Sequence, residues 1–303
     1  MALPVTSTAH QIAAKALTWL HTRQEQHALP THPCFEHDRS KIKRLGETAF
    51  AASLVLREAV AGSHGLRLAR DLLDYAWHQL GAGTVLHAHL LSHPLADDVV
   101  QIYAPFARSG YRHPPLDQLL AHTTSLRSVR AADIPPDQRL GYANAAEVCG
   151  FSPGGTDAEA TAGTTWLSAE PEPWLIDYQA AYAMTHTVFH HTDWGGLPSR
   201  LPAGIAQYLT RWLPVWAEVW GEIGSWDLVA ELAMTGSCLP TPLCSEPLWQ
   251  RLAQLQHQDG LLPRNAQPVS DDPEERFLQG HHPTVVAVAA GTLTVSRTLS
   301  VPR

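Results

Sequence analysis

Residues 178–193, YQAAYAMTHTVFHHTD, place chemically active side chains at helical spacing. If the stretch is helical, steps of four or three residues put Tyr178, Tyr182, His186, His190 and Asp193 along one face. Two imidazoles and a carboxylate suffice for a three-ligand site for zinc or non-haem iron, with positions left open for water and substrate. The pattern therefore predicts His186, His190 and Asp193 as metal ligands.

Chance and a structural role compete with the metal interpretation. With 18 histidines in 303 residues, about one pair four residues apart is expected at random and two such pairs occur, so the pair alone carries no weight. Asp193 is more informative, because it precedes Gly195 and Gly196 in the last turn of the predicted helix. There the helix dipole disfavours a carboxylate by roughly 0.3–1 kcal/mol, which a cation or an N–H donor would offset. The stripe is a metal or catalytic site, a hydrogen-bonded seam between helices, or a solvent-facing surface.

The same side chains are suited to acid–base catalysis. His186 is then the ligand or the acid/base, Asp193 orients it or shares the metal, and Tyr182 donates a proton or orients the substrate. His282 joins these predicted catalytic residues. It lies in GHHPTVV, which is typical of the start of a last inner helix at Pro283. In a helical barrel the ends of the inner helices converge on one cavity, so His282 is expected near the stripe.

The stripe also resembles a known sequence signature. The matching positions are Tyr182, Thr185, His186, Phe189, Thr192, Asp193 and Gly195. They resemble the pattern Y-x-x-T-H-x-x-F…T-D-x-G of an uncharacterised all-α domain family of actinobacteria, which is associated with gene clusters for specialised metabolites. LGETAFAASLVL, QHQDG and HHPT resemble elements of the same family, so the resemblance spans most of the chain. It implies an architecture and a focal site but no reaction, and His190 stands where the family pattern has an aromatic residue.

Other polar groups have structural interpretations beside the functional ones. His89 and His93 share a helix face but precede a proline, as is typical of a helix end. The segment HPCFEHDRS, which contains Cys34, Glu36 and His37, either supplies a ligand or a nucleophilic thiol, or is the charged beginning of a helix.

One further carboxylate has two interpretations. Glu47, in LGETAF, either faces a central cavity or forms a salt bridge with Lys43 or Arg44.

The elements that position these residues are predicted to be helices. Apolar residues recur at spacings of three and four through most of the chain, and Gly or Pro interrupts them at intervals typical of helix-and-loop repeats. One helix is predicted to run into Gln256-x-x-Asp259-Gly260, with Gly260 in a left-handed stop conformation. An outer helix of this kind, followed by an inner helix with H-x-T, resembles the repeat unit of α/α-toroid enzymes such as terpene cyclases and glycan lyases.

Composition excludes several classes of protein. Hydrophobic residues at 45% and charged residues at 17% are typical of a soluble globular protein. A formal net charge of −8 argues against a general nucleic-acid or anionic-membrane binder, and no run of apolar residues is long enough for a membrane span. The four cysteines form no CxxC motif and no disulfide pattern, which favours the reducing cytoplasm.

These observations predict an all-α protein. The fold is expected to be an α/α toroid or a closed solenoid of helical hairpins, forming one domain over residues 1–303, with a subdivision near residues 151–173 left open. The expected function is a biosynthetic tailoring enzyme that acts on a small molecule or modified peptide in a central cavity, with zinc or iron dependence and the reaction class left open. The alternative is a non-catalytic helical scaffold that binds a carrier protein or leader peptide. The oligomeric state is not predicted.

Overall fold

Every regular element in the described part of the chain is a helix, so the all-α prediction is confirmed. The computed structural model describes residues 5–151 and 161–300. The α-helices with both ends in these residues are α1 (Val5–Thr22), α2 (Phe35–Glu58), α3 (Gly62–Gln79), α4 (Thr84–Ser92), α5 (Asp98–Arg108), α6 (Pro114–Ser125), α7 (Arg127–Arg130), α8 (Pro136–Cys149), α9 (Tyr178–His191), α10 (Ala203–Ile223), α11 (Trp226–Cys238), α12 (Glu246–Leu255) and α13 (Pro273–Ser300). None of these helices is long and apolar enough to cross a membrane.

Six of the helices pack on one another in a closed order. Helix α13 packs on α2, α2 on α5, α5 on α8, α8 on α9, α9 on α11, and α11 on α13. Other helices cover this ring from outside: α1 packs on α13, α3 on α2, and α10 on α11. This order of neighbours is compatible with the predicted α/α toroid.

The ring helices α2 and α13 run in the same direction. Glu47 pairs with His282, and further along both helices Glu58 accepts a hydrogen bond from Ser296. At Gly291 of α13, α1 comes so close that a Cβ atom would lie 2.5 Å from the carbonyl oxygen of Ala9. The tight contact between α1 and the ring therefore requires glycine at this position.

Two helix boundaries differ from the sequence-based expectation. Helix α13 begins at Pro273, and Pro283 lies inside it. The reason is the Asp272 side chain, which accepts hydrogen bonds from the backbone N–H groups of Glu274 and Glu275 and so caps a helix with proline at its first position. Because of this cap, His282 is a residue of the helix interior.

The stop motif after α12 also differs in detail. The helix ends at Leu255, before Gln256, whereas Gly260 does have the expected positive φ of 102°. Gly260 shapes the following turn, which Gln256 closes by donating from its amide to the Gly260 carbonyl oxygen at 3.0 Å.

The predicted single domain is not tested by these contacts. Part of the stretch at 151–173, where a subdivision was left open, lies outside the described residues, which resume at 161. The core includes buried apolar residues from both sides of this stretch, such as Leu140 and Met184.

Candidate functional site

A cavity of about 540 Å³ lies inside the ring, and all six ring helices contribute to its wall. Part of the lining is apolar and aromatic: Phe35, Phe50, Ile102, Phe189, Trp194, Met234, Val285 and Val286. The polar part of the lining is rich in ionisable groups: Arg39, Lys43, Glu47, Asp97, Asp98, Arg108, Asp137, His186, His190, Glu231 and His282. A concave space of this size with a few convergent polar groups is the usual form of a small-molecule site.

His282 is surrounded by three carboxylates. Its Nδ1 lies 3.3 Å from Oε1 of Glu47, and its Nε2 lies 3.8 Å from Oδ1 of Asp227 and 3.9 Å from Oε1 of Glu231. The Asp227 and Glu231 side chains are 1% and 2% exposed, whereas the His282 side chain is 33% exposed. The imidazole therefore lies between the cavity and the buried carboxylate of Asp227, next to Glu231, and a bound molecule can reach it.

The charge state of this cluster follows from its contacts. Burial alone would lower the pKa of His282, but the nearby carboxylates of Glu231, Glu47 and Asp227 raise it well above its ordinary value. Burial would likewise raise the pKa of Glu47, but the imidazoles of His281 and His282, at 3.4 and 3.3 Å, lower it. Burial raises the pKa of Asp227 even though His282 is near. At neutral pH His282 is a cation, a suitable proton donor held among acids.

Tyr182 and Thr185 connect the predicted stripe to this cluster. The Tyr182 hydroxyl donates to Oδ2 of Asp227 at 2.8 Å, and the Thr185 hydroxyl donates to Oε2 of Glu231 at 2.6 Å. Burial and the nearby carboxylates raise the pKa of Tyr182, so it remains a neutral donor. The structure thus brings Tyr182 and His282, two of the predicted catalytic residues, to the same carboxylate.

His186 and His190 follow Tyr182 along α9 and line the cavity. The Tyr182 and His186 ring centroids are 6.2 Å apart, and those of His186 and His190 are 5.9 Å apart, as expected for side chains one helical turn apart. Burial lowers the pKa of His190 to about 3, so this imidazole is neutral. On the neighbouring helix α8, a Cβ atom at Gly141 would lie 2.9 Å from Nε2 of His190, and glycine there lets the two helices approach.

Asp193 does not continue this stripe. Helix α9 ends at His191, and Asp193 has a left-handed backbone with φ 47°. Its carboxylate accepts two hydrogen bonds from Arg108, at 2.9 and 2.5 Å, and one from the side-chain amide of Asn144 at 3.0 Å. Arg57 binds the Asp193 carbonyl oxygen at 2.9 Å. The positively charged partner expected for Asp193 is therefore Arg108 of α5. Such a contact is typical of a hydrogen-bonded seam between helices.

The three predicted metal ligands are not brought together as a set. One group of three or more His, Cys, Asp or Glu side chains has its ligand atoms within 4.8 Å of one another among residues 5–151 and 161–300. It consists of Glu36, His89 and His93. Zinc or iron at His186, His190 and Asp193 stays a prediction without geometric support, because guanidinium groups occupy the Asp193 carboxylate.

The sequence reasoning missed Asp227 and Glu231. They lie in WDLVAELAMTG, residues 226–236, where the apolar spacing predicts a helix and draws no attention to a site. Every residue of α11 is buried, these two acids included. The signal that would have revealed them is two acids four residues apart in an otherwise apolar helix, because an acid is rarely buried unless it is paired. For Glu47 both expectations hold, since it lines the cavity and also lies 3.7 Å from Lys43.

The match to a family model covers most of this architecture. The model described as "Domain of unknown function (DUF6895)" matches residues 13–292. The chain belongs to the DUF6895 family. This agrees with the expected membership of an uncharacterised family, whereas actinobacterial origin, the signature motif and the association with gene clusters stay predictions. No curated protein and no solved structure matches this DUF6895 protein.

Proposed function

We propose that this DUF6895 protein is an enzyme that uses His282 as a general acid on a small organic molecule or modified peptide bound in the central cavity. One observation carries the proposal: an accessible imidazole at the cavity wall is held among Glu47, Asp227 and Glu231, two of which are almost fully buried. Perturbed ionisable groups of this kind, in a cavity, are typical of catalytic sites.

A purely structural role explains the cluster less well. Burying carboxylates costs several kcal/mol per ion, and a well-packed apolar core is often as stable or more stable. Oδ1 of Asp227 is buried and accepts no hydrogen bond from the described residues. Such incomplete pairing favours a functional reason for retaining Asp227 in α11.

The proposed chemistry is proton donation to a substrate atom that gains negative charge. His282 gives the proton from Nε2, which forms no hydrogen bond to the nearby acids, while Glu47 holds the opposite nitrogen, Nδ1, at 3.3 Å. The Tyr182 hydroxyl positions the Asp227 carboxylate beside Nε2. A general acid in this position contributes about 10²–10⁴-fold to the rate.

The aromatic part of the cavity wall suits an apolar substrate body. Trp194 lies 4.1 Å from Phe50 and 4.8 Å from Phe189, measured between ring centroids, and all three line the cavity. The excess of carboxylates around His282 favours a neutral or cationic substrate group at that end.

The experiment begins with an extract of the source organism in which the gene has been disrupted, because the substrate of a missing enzyme accumulates there. The extract is incubated with purified protein and analysed by untargeted mass spectrometry. We expect the wild-type protein to convert at least one accumulated compound, and His282→Gln to convert it at least about 10²-fold more slowly. His122→Gln, at an exposed position of α6, is the matched control. Equal conversion by His282→Gln would refute the proposal.

The alternative is a scaffold that binds a carrier protein or leader peptide. It is favoured by an exposed apolar row on α10, where Val215, Val219 and Ile223 are 43%, 45% and 62% exposed. If the wild-type protein converts nothing in the extract, whereas a Val219→Asp variant alone loses a binding partner, the scaffold function is supported.

A further inference from the structure

Two segments that are far apart in the sequence meet next to Phe35, a residue of the cavity wall. Glu36 lies in the first turn of α2, and His89 and His93 lie at the end of α4. Oε1 of Glu36 is 3.4 Å from Nδ1 of His93 and 3.8 Å from Nδ1 of His89. All three ligand atoms lie within 4.8 Å of one another.

His89 supplies a second, independent observation. Its side chain is only 9% exposed, and its Nδ1 is buried without a hydrogen-bond partner in the described residues. The ring is fixed by stacking on Phe35 at 3.6 Å and on His93 at 4.7 Å between centroids. A buried imidazole nitrogen without a hydrogen bond is unfavourable, and here it lies next to a carboxylate oxygen. A cation between these two atoms would satisfy both.

We propose that Glu36, His89 and His93 bind one divalent cation of the zinc class. Two imidazoles and a carboxylate are typical zinc ligands, with metal–ligand distances of about 2.0–2.2 Å. In a tetrahedral site these distances place ligand atoms roughly 3.3–3.5 Å apart. The Glu36–His93 separation of 3.4 Å already meets this value, and the Glu36–His89 separation of 3.8 Å needs only a small side-chain movement.

Cys34 is the candidate fourth ligand, because its sulfur contacts Glu36; it lies outside the group of ligand atoms within 4.8 Å of one another and would have to turn toward the metal. Its thiol donates to Oε2 of Glu36 at 2.8 Å, and Nδ1 of His37 lies 3.2 Å from the same sulfur. On binding, the thiol would lose its proton, the sulfur would coordinate the metal as a thiolate, and the proton would pass through His37 to solvent. No electron transfer is involved. Four protein ligands would close the site, which is the usual form of a structural zinc centre.

A metal bound at this site would fix two helices relative to each other. It would join the beginning of α2 to the end of α4, two elements without a covalent connection nearby. Phe35, which stacks on His89, also lines the central cavity. The metal would therefore hold the cavity wall at Phe35, and this role does not depend on the reaction proposed for His282.

The test uses full-length protein without a histidine tag, freed of metal with a chelator and titrated with Zn²⁺ by calorimetry. We expect one equivalent to bind tightly and to raise Tm. His93→Ala and Glu36→Gln, both at half-exposed positions, are expected to weaken binding at least about tenfold and to remove the Tm shift. His87→Ala is the control, because it lies on the same helix outside the cluster. Absence of binding, or equal affinity in His93→Ala and wild type, would overturn the proposal.

Cobalt replaces zinc in a second measurement that concerns Cys34 alone. Co²⁺ bound by a thiolate gives a sulfur-to-metal charge-transfer band, which imidazole and carboxylate ligands do not give. We expect the band in the wild-type protein and its loss in Cys34→Ser. A missing band in the wild type, or a band that persists in Cys34→Ser, would overturn the assignment of Cys34 as the fourth ligand.

Discussion

Arg108 binds Asp193 with both terminal nitrogens of its guanidinium group, at 2.9 and 2.5 Å, and so links α5 to the turn that follows α9. The two side chains are 20% and 15% exposed. Arg57 reinforces the same turn by binding the carbonyl oxygens of Asp193 and Trp194, whose backbones are both left-handed. A bidentate pair at this degree of burial stabilises one geometry of the turn. The turn contains Trp194 and so supports the cavity wall at this residue.

Asp193→Asn is expected to lower the free energy of unfolding by about 2–4 kcal/mol, because it leaves the largely buried Arg108 charge without its partner. Urea denaturation at pH 7 measures the change. The control is Glu147→Gln, which removes the partner of Arg200 in a pair exposed at 56% and 40%; this should cost less than about 1 kcal/mol. Equal costs for the two variants would contradict a structural role for the Asp193 contact.

The Asp193 contact shows how far sequence reasoning extends. The spacing of Tyr182, His186 and His190 predicted the helical stripe, and the helix dipole indicated that Asp193 needs a positively charged or N–H-donating partner. The identity of that partner was not readable, because Arg108 is 85 residues away in the sequence and its approach depends on the packing of α5. The extent of α9 was also overestimated, since the left-handed backbone at Asp193 takes its side chain off the stripe.

His282 gives the stability a specific pH dependence. Its folded-state pKa is raised well above the ordinary value of 6.5, chiefly by its contacts with Glu231 and Glu47, which overcome the opposite effect of burial. A raised pKa means that this contribution is fully present below about pH 6.5 and is lost as the pH rises through the folded-state value. The advantage of wild type over His282→Gln in Tm should therefore be largest near pH 6 and shrink toward alkaline pH. An advantage independent of pH would show that His282 is not held as a cation.

Asp227 and Glu231 show which part of the site only the fold assembles. The hydrophobic pattern of α11 was sufficient to predict a helix, and the same pattern concealed the two acids within it. His282 lies on α13 and Tyr182 on α9, so the cluster exists only because both helices pack on α11. The two halves of the Glu36–His89–His93 cluster were likewise visible in the sequence, each with a sufficient structural explanation of its own.

His27 is expected to make the protein sensitive to acid. It is 1% exposed, neither ring nitrogen has a hydrogen-bond partner in the described residues, and burial lowers its pKa to about 3. Between about pH 6.5 and pH 3 the unfolded chain binds a proton that the folded chain does not, so stability falls as the pH is lowered. His27→Phe preserves the aromatic contacts and should reduce this slope by about 1 kcal/mol per pH unit, measured as urea midpoints between pH 7 and pH 4. An unchanged slope would show that His27 titrates normally in the folded protein.

The Tyr182–Asp227 hydrogen bond is the last contact that a single substitution can test. Tyr182→Phe removes the donor at 2.8 Å from a carboxylate that is 1% exposed. A buried acceptor that loses its donor costs about 1–3 kcal/mol, more than loss of a solvated hydroxyl. The control is Tyr178→Phe one turn earlier on α9, at a residue that is 43% exposed. Its hydroxyl donates to the Tyr182 oxygen at 3.2 Å, but its loss leaves the hydrogen bond to Asp227 in place, so a change below about 0.5 kcal/mol is expected.

If Asp227 also supports the His282 acid, Tyr182→Phe should slow conversion of the accumulated substrate beyond what its stability explains. This is measured well below the Tm of the variant, where both proteins are fully folded. A variant that is destabilised but converts the substrate at the wild-type rate would leave Tyr182 as a structural donor only. Reduced conversion in Tyr182→Phe, with an unchanged rate in Tyr178→Phe, would place the Tyr182 hydroxyl in the proton-transfer site.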